Sequence, residues 1–265
     1  MSDEFNKESN LAASQNLARR LRALTPARVG LTRTGISIGT SDLLDFQLSH
    51  AQARDAVQGR LEAAALCAAI GEITATAVLR LHSAAPDRAT YLQRPDLGRR
   101  LNESSQAEVA GHGASLSADK GDADTLVVIV ADGLSALAVE RHAVPLLKEL
   151  LPRLDGWKLA PVCVVEQARV AIGDEIGEAL HAQLSVVLIG ERPGLSSPDS
   201  LGAYITWQPR RGRTDAERNC ISNIRGEGLS YAQAAAQLSY YLAEARTRQL
   251  TGIGLKEAAP GLKEG

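Results

Sequence analysis

The pattern of apolar positions changes near the middle of the chain. In the first hundred residues apolar side chains recur at helical spacing; from residue 125 onward they come in short unbroken runs. Leu17, Leu21 and Leu24 fall on one face of a helix predicted over 11–24, with Arg19, Arg20 and Arg22 largely off it. Thr25-Pro26 ends that helix, because proline disfavours helical backbone in the residue before it. Gly30, Gly35 and Gly39 then punctuate a predicted ordered loop. Ser41 or Asp42 can cap the next helix, LLDFQLSHAQARDAV, in which Leu44, Leu48 and Ala51 line one stripe. An alanine-rich helix over 61–74 and a short strand over 77–82 follow. Asp96 opens a further helix after Arg94-Pro95, and the Ser, Asp and Gly residues of 114–123 predict a loop.

The second half reads differently. Thr125 to Val130 is a continuous run of β-branched and aliphatic residues, as in a strand buried on both faces. Asp132-Gly133 turns the chain and Ser135 caps a helix carrying Leu146, Leu147, Leu150 and Leu151, with a break and restart expected at Pro145. Further strands are predicted over 161–165, 184–189 and 203–207, with a short helix over 172–180 and a last amphipathic helix over 231–246. Buried strands alternating with helices make β-α-β units and a parallel sheet. The expected fold class is α/β: a mostly helical N-terminal part, then a Rossmann-like, doubly wound parallel-sheet domain. The expected division is a helix and tail over 1–24, a helical domain over 25–100, the sheet domain over 101–258 and a tail over 259–265. In such sheets ligands bind outside the carboxyl ends of the strands, here at Asp132 to Ser135, Glu166 to Val170 and Gly190 to Gly194.

Composition narrows the function classes. A formal charge of −2 over 265 residues gives no electrostatic reason for nucleic acid or an anionic membrane as partner, and 3% aromatic residues leave few stacking platforms. No run approaches the ~20 apolar residues needed to span a bilayer. The three cysteines, Cys67, Cys163 and Cys220, are far apart and form no C-x-x-C pair, which fits free thiols in a reducing cytoplasm. The polar start MSDEFNKESN carries no apolar signal segment.

No local motif completes a catalytic or metal site. G-x-G-x-x-G, G-x-x-x-x-G-K-[ST] and G-x-S-x-G are all missing, and the five histidines form no H-x-x-x-H pair. Three segments remain. Gly190 to Ser197 follows a buried strand; turn chemistry alone accounts for its Gly and Pro, and a ligand loop is the other reading. Cys220 stands among polar residues, although a lone cysteine is commonly a buried small hydrophobe. Arg94 to Arg100 reads either as a helix start with surface arginines or as an anion or interface patch.

Taken in order, ALTPARVGLTRTG, LLDFQLSHAQARDAV, YLQRPDLGRRL, VVIVADGLS, ARVAIGDEIGE, VVLIGERPGL and NCISNI resemble the small subunit of ethanolamine ammonia-lyase, over about residues 23 to 224. The resemblance implies a subunit that is not active alone. Its partner would be a large TIM-barrel subunit that holds ethanolamine and converts it to acetaldehyde and ammonia by radical chemistry. Adenosylcobalamin would lie between the two subunits, base-on, with this chain covering the corrin face away from substrate. The family's small-subunit contacts to the cofactor fall here on Val170, Glu191 and Cys220, with Arg192 as a further candidate for the nucleotide-tail phosphate. The Asp-x-His-x-x-G motif of other B12-binding domains is missing, since no histidine has Asp two residues before it. No catalytic or metal-ligating residue is expected in this chain. The short start favours free cytoplasm over a bacterial microcompartment. The alternatives are a structural or assembly subunit without cofactor contact, and a stand-alone Rossmann-like enzyme using a nucleotide.

Overall fold

The structure, a computed structural model, describes residues 16–257 apart from 19, 26, 32 and 119–123. The expectations for 1–15 and for the tail lie outside the described residues. Two compact units are present, one of Met1–Asp55 with Gly194–Pro198, the other of Ala56–Pro193 with Asp199–Gly265.

In the first unit the helix expected over 11–24 is seen at 16–18 and 20–22. The glycine-rich segment after it is not a plain loop but a minimal hairpin, β1 (Arg33–Thr34) against β2 (Ser37–Ile38). Its two-residue turn starts at Gly35 with φ +65°, a backbone conformation that favours glycine. Helix α1 (Thr40–Gln58) follows. The Arg22 guanidinium ties the segment before the hairpin to α1, donating to the Val29 and Gly30 carbonyls at 3.0 and 2.8 Å and to Asp42 at 3.3 Å. Leu43, Leu44, Phe46 and Leu48 of α1 stay exposed.

The second unit is built on a sheet ordered β3-β6-β4-β7-β8-β9. Its strands are β3 (Val78–His82), β4 (Thr125–Ala131), β5 (Lys158–Leu159, beside β4), β6 (Val162–Glu166), β7 (Leu184–Gly190), β8 (Leu201–Trp207) and β9 (Asn219–Ile224). The α/β class holds. The sheet is mixed rather than all parallel: β3, β4, β5, β6 and β7 run parallel, whereas β8 and β9 run antiparallel. The physical reason is the connection. No crossover helix lies between β7 and β8 or between β8 and β9, so the chain has to return alongside the strand it left.

Strand alternation divides the core. Leu126, Val128 and Val130 of β4, with Val186 and Leu188 of β7, pack under α2 (Ala63–Gly71), α5 (Ala136–Leu150) and α7 (Tyr231–Arg248). Val127, Ile129 and Val187 point the other way, beneath α4 (Glu103–Ala118) and α6 (Ile172–Ala179). Helix α3 (Arg88–Gln93) and the short α8 (Ile253–Glu257) complete the unit. α4 runs to Ala118, into the segment expected as a loop. α5 passes through Pro145 without the expected break. Proline removes one backbone hydrogen bond, and burial of Ala143 before it with Leu146, Leu147 and Leu150 after it holds the helix together. Ser135 caps α5, accepting from the Ala138 N–H at 3.3 Å. No helix among the described residues is long and apolar enough to cross a membrane.

The carboxyl ends of β4 and β7 meet directly. Gly133 has φ +58°, and the Leu134 N–H donates to the Gly190 carbonyl at 2.9 Å. A Cβ on Gly133 would overlap that same carbonyl. Gly133→Ala therefore combines backbone strain with overlap against a fixed main chain. It is expected to cost on the order of 3 kcal/mol or more, read as a drop in the denaturation midpoint; an unchanged midpoint would show that the contact yields easily.

Candidate functional site

Because β4 and β7 close on each other, the crevice where a doubly wound fold takes a dinucleotide is filled by main chain. The loops beside it are held from within. The buried Asp132 carboxylate accepts the N–H groups of Gln167 at 2.9 Å and Ala168 at 3.0 Å, and lies 3.5 Å from Nη1 of the buried Arg88. Gln167 has φ +54°, so the turn after β6 doubles back on these donors. Tyr91 donates from its hydroxyl to the Ala168 carbonyl at 3.0 Å, and its ring lies between the guanidinium groups of Arg88 and Arg169. This frame fixes the turn that ends in Val170. Val170 is half-buried and packs on the apolar cluster that also contains Ile189 and Tyr204.

Glu191 follows β7 directly. Its N–H donates to the Ser200 carbonyl at 2.9 Å, which extends the β7–β8 ladder by one bond. Its carboxylate is held across the antiparallel part of the sheet. Oε2 accepts from the Ser200 hydroxyl and from the Asn223 N–H at 3.2 Å; Oε1 accepts from the Ser222 hydroxyl at 2.6 Å. A Cβ at Gly202 would lie 2.9 Å from Oε1, so the glycine makes room for the carboxylate. Three of the roughly four acceptor positions of a carboxylate are thus taken. Glu191 is a knot joining β7, β8 and β9 more than a free charge.

The face carrying these groups is only partly open: Cys220 and Ser222 are exposed and Tyr204 half-buried, while Gly202 and Thr206 are buried. α6 covers β7, with Gly173 set against Val187. On the same face β8 presents Gly202, Tyr204 and Thr206, and β9 presents Cys220 and Ser222. Cys220 and Ser222 are exposed while Ile221 between them is buried. Tyr204 stands opposite Cys220 in the ladder, and the two side chains are hydrogen-bonded. Burial, then the neighbouring Cys220 and Glu191, push the Tyr204 phenol well above its ordinary value, so it stays protonated. The result is a strip with a half-buried aromatic ring, a thiol and a hydroxyl, closed at one end by the Glu191 knot.

The expected residues therefore divide. Glu191 and Cys220 come onto one strip, joined through Ser222; Val170 lies after β6 and packs, like Tyr204, on the apolar cluster beneath α4 and α6. Arg192 is exposed, beside the strip. Arg94 and Asp96 form an exposed pair at 2.8 Å, as in a solvated helix start. Sequence reasoning missed Ser200, Gly202, Tyr204 and Ser222. Two signals were available: a glycine inside a strand marks close approach, and NCISNI alternates polar with apolar. Larger hollows lie elsewhere; one of about 330 Å³ sits between the end of α6 and the far end of β7, lined by His181 and Gln208. No cluster of metal-ligating side chains occurs among the described residues.

Fold and strip define a class: an α/β protein with a mixed sheet, whose antiparallel part carries polar groups fixed in advance. The comparisons narrow it. The family model for the ethanolamine ammonia-lyase light chain matches residues 15–256. The chain is 58% identical over 242 residues to the ethanolamine ammonia-lyase small subunit of Xanthomonas campestris pv. campestris (strain B100), covering 91% of this chain and 87% of that protein. It is 56% identical over 250 residues to the small subunit of Pseudomonas aeruginosa (strain LESB58), covering 94% and 90%. Against that of Pseudomonas syringae pv. tomato (strain ATCC BAA-871 / DC3000) the identity is 55% over 262 residues, covering 98% and 90%. The chain belongs to the ethanolamine ammonia-lyase light-chain family.

Thiol reactivity tests the geometry of the strip. Cys163 is buried, Cys67 is half-buried with its thiol pushed up by burial, and Cys220 is exposed. Titration of the folded chain with Ellman's reagent should show a single fast thiol that disappears in Cys220→Ser. A fast phase that survives the substitution would put Cys220 off the surface.

Proposed function

We propose that this chain is the cofactor-covering subunit of an adenosylcobalamin-dependent ethanolamine ammonia-lyase, active only with its large subunit. The observation that carries the reading is the accessible edge formed by half-buried Tyr204 with exposed Cys220 and Ser222, beside a Glu191 carboxylate already held in place. A corrin is a broad, mostly apolar plate fringed by neutral amides. Val170 and the Tyr204 ring supply apolar contact to such a plate. The Ser222 hydroxyl, whose proton is committed to Glu191, keeps lone pairs that accept from an amide, and Glu191 retains about one acceptor position of its own. Cys220 is a packing contact between them. The residues present fit the group, which this reading takes to bind in its base-on form.

When bound, adenosylcobalamin supplies the radical that begins the conversion of ethanolamine to acetaldehyde and ammonia. The part of this chain is to bind, orient and exclude water. The apolar margin at Val170 keeps solvent from one side. The Glu191 knot stops β9 from moving away from β7, and the Tyr204 phenol, protonated across the working range, presents a fixed dipole instead of a charge. Ethanolamine and the residues that handle its protons belong, in this reading, to the large subunit, expected to be a TIM barrel. Exposed Arg192 is placed for the phosphate of the nucleotide tail. The chain is read as cytoplasmic.

A purely structural role in assembly has one observation in its favour. Leu44 and Leu48 of α1 are 59% and 58% exposed, a surface that a partner would cover. The two readings separate experimentally. Ammonia release from ethanolamine with added adenosylcobalamin is expected only from the mixture of this chain with its large subunit. In that complex Glu191→Ala should weaken coenzyme binding by roughly tenfold or more, the worth of a lost charged hydrogen bond. An assembled complex in which Glu191→Ala leaves coenzyme affinity unchanged would leave the assembly role alone.

A further inference from the structure

We infer that the buried Asp174–Arg218 pair is the positioning element of the cofactor face, holding the strand that bears Cys220 against the helix that follows Val170. The inference rests on the reading of the strip as the coenzyme's seat.

Asp174 lies in the first turn of α6, four residues after Val170, and is 2% exposed; Arg218 lies two residues before Cys220 and is 7% exposed. The contact is bidentate, Nη1 to Oδ1 at 2.7 Å and Nη2 to Oδ2 at 2.6 Å. The remaining donors are also placed. Nη1 reaches Thr206 Oγ1 at 3.0 Å, Nη2 the Arg213 carbonyl at 3.1 Å, and Nε the Asp215 carboxylate at 3.4 Å. Every N–H of the guanidinium has an acceptor. Burial, the largest single influence, opposes the Arg218 charge, but the hydrogen bonds and negative charges of Asp174 and Asp215 together outweigh it, so the side chain stays charged.

A buried ion pair is a poor source of stability, because desolvation offsets most of the attraction. What it does well is specify one arrangement, and here a particular arrangement needs specifying. β9 is an edge strand whose short pairing to β8 is interrupted by a register shift, so the ladder is locally disrupted and few of its bonds hold the open side in place. On the far face Asn219 ties β9 to Gly252, with its Nδ2 donating at 3.1 Å and its Oδ1 accepting at 2.8 Å. On the near face the tie is Arg218, and the strip begins one pleat further on: Cys220 follows Arg218 along β9 as Tyr204 neighbours Thr206 along β8. A shift of Arg218 would carry Cys220 and Ser222 with it, and Ser222 holds Glu191.

The test uses the complex with the large subunit and reads coenzyme dissociation constant, ethanolamine KM and thermal midpoint together. Arg218→Lys keeps the charge but not the planar fork. It is expected to raise the coenzyme dissociation constant roughly tenfold, the equivalent of one impaired hydrogen bond at the seat, with ethanolamine KM held within about twofold. The double variant Asp174→Leu with Arg218→Met replaces the pair by apolar groups. It should keep the thermal midpoint near or above the parent and still bind coenzyme more weakly, a split that a merely stabilising pair would not give. Either variant, folded and assembled with parent-like coenzyme affinity, overturns the inference. Should both fail to assemble, Thr206→Val, which removes one hydrogen bond and no charge, decides on the same readout. Glu191→Ala run alongside separates the two claims. If it weakens coenzyme binding and the Arg218 variants do not, only the positioning role falls; if none of them does, the strip is not the coenzyme's seat.

Discussion

The exposed edge at Cys220 and Ser222 lies beyond α6, which is short and sits tightly on β7. The helix has eight residues, about 12 Å in length. Gly173 and Gly177 face the sheet side, where a Cβ would overlap Val187 and Pro209. That close seat sets α6 over β7 and beside the end of β8, where its Asp174 meets Arg218 and, through it, Thr206, and leaves Cys220 and Ser222 of β9 exposed. A parallel strand would need a cover on both sides; an antiparallel pair does not, and can leave one face to water or to a partner. The change of strand direction after β7 and the open face are therefore one constraint. The parallel half builds the core, and the antiparallel half has a face to offer.

Once a face is open, something other than packing must hold its shape. On the buried face Ile221, Ile224, Leu201 and Ala203 are fixed by α5 and α7. On the open face hydrogen bonds take over, and they are long-range. Glu191 reaches Ser222 and Asn223, and Arg218 reaches Asp174. The same device recurs one turn earlier, where Asp132 holds the loop before Val170. Carboxylates at these points accept backbone or hydroxyl donors, so the loops are set before any ligand arrives, and binding need not meet the entropy of ordering them.

How much of this was legible in the sequence depended on range. β4 and β7 were plain, because an unbroken apolar run bounded by Asp132 or Gly190 has few other readings. Glu191 and Val170 could be placed at strand ends for the same reason. β9 was harder: Arg218-Asn219-Cys220 reads as a polar segment, and only its pairing with β8 makes it a strand. The direction of β8 was hidden too, although the lack of a helical pattern between Gly190 and Ala203 carried the clue. Pro145 misled because local propensity was weighed without the apolar residues that flank it. Two of the three groups that hold the Glu191 carboxylate lie 31 and 32 residues away, in contacts that no local spacing reports.

A half-site of this kind has a consequence for where selection can act. Cys220, Ser222 and Tyr204 are exposed or half-buried, so changing them costs the fold little, whereas Asp132, Asp174 and Arg218 lie in the interior with their hydrogen bonds made. Removing one member of such a set strands its partner in a low-dielectric setting, which is far more costly than losing a surface contact. The groups that would touch a ligand are thus the ones most easily exchanged singly, whereas a buried pair such as Asp174 and Arg218 can be exchanged only as a pair. In the proposed reading, the interior charges are then as much a part of the functional surface as the residues that form it.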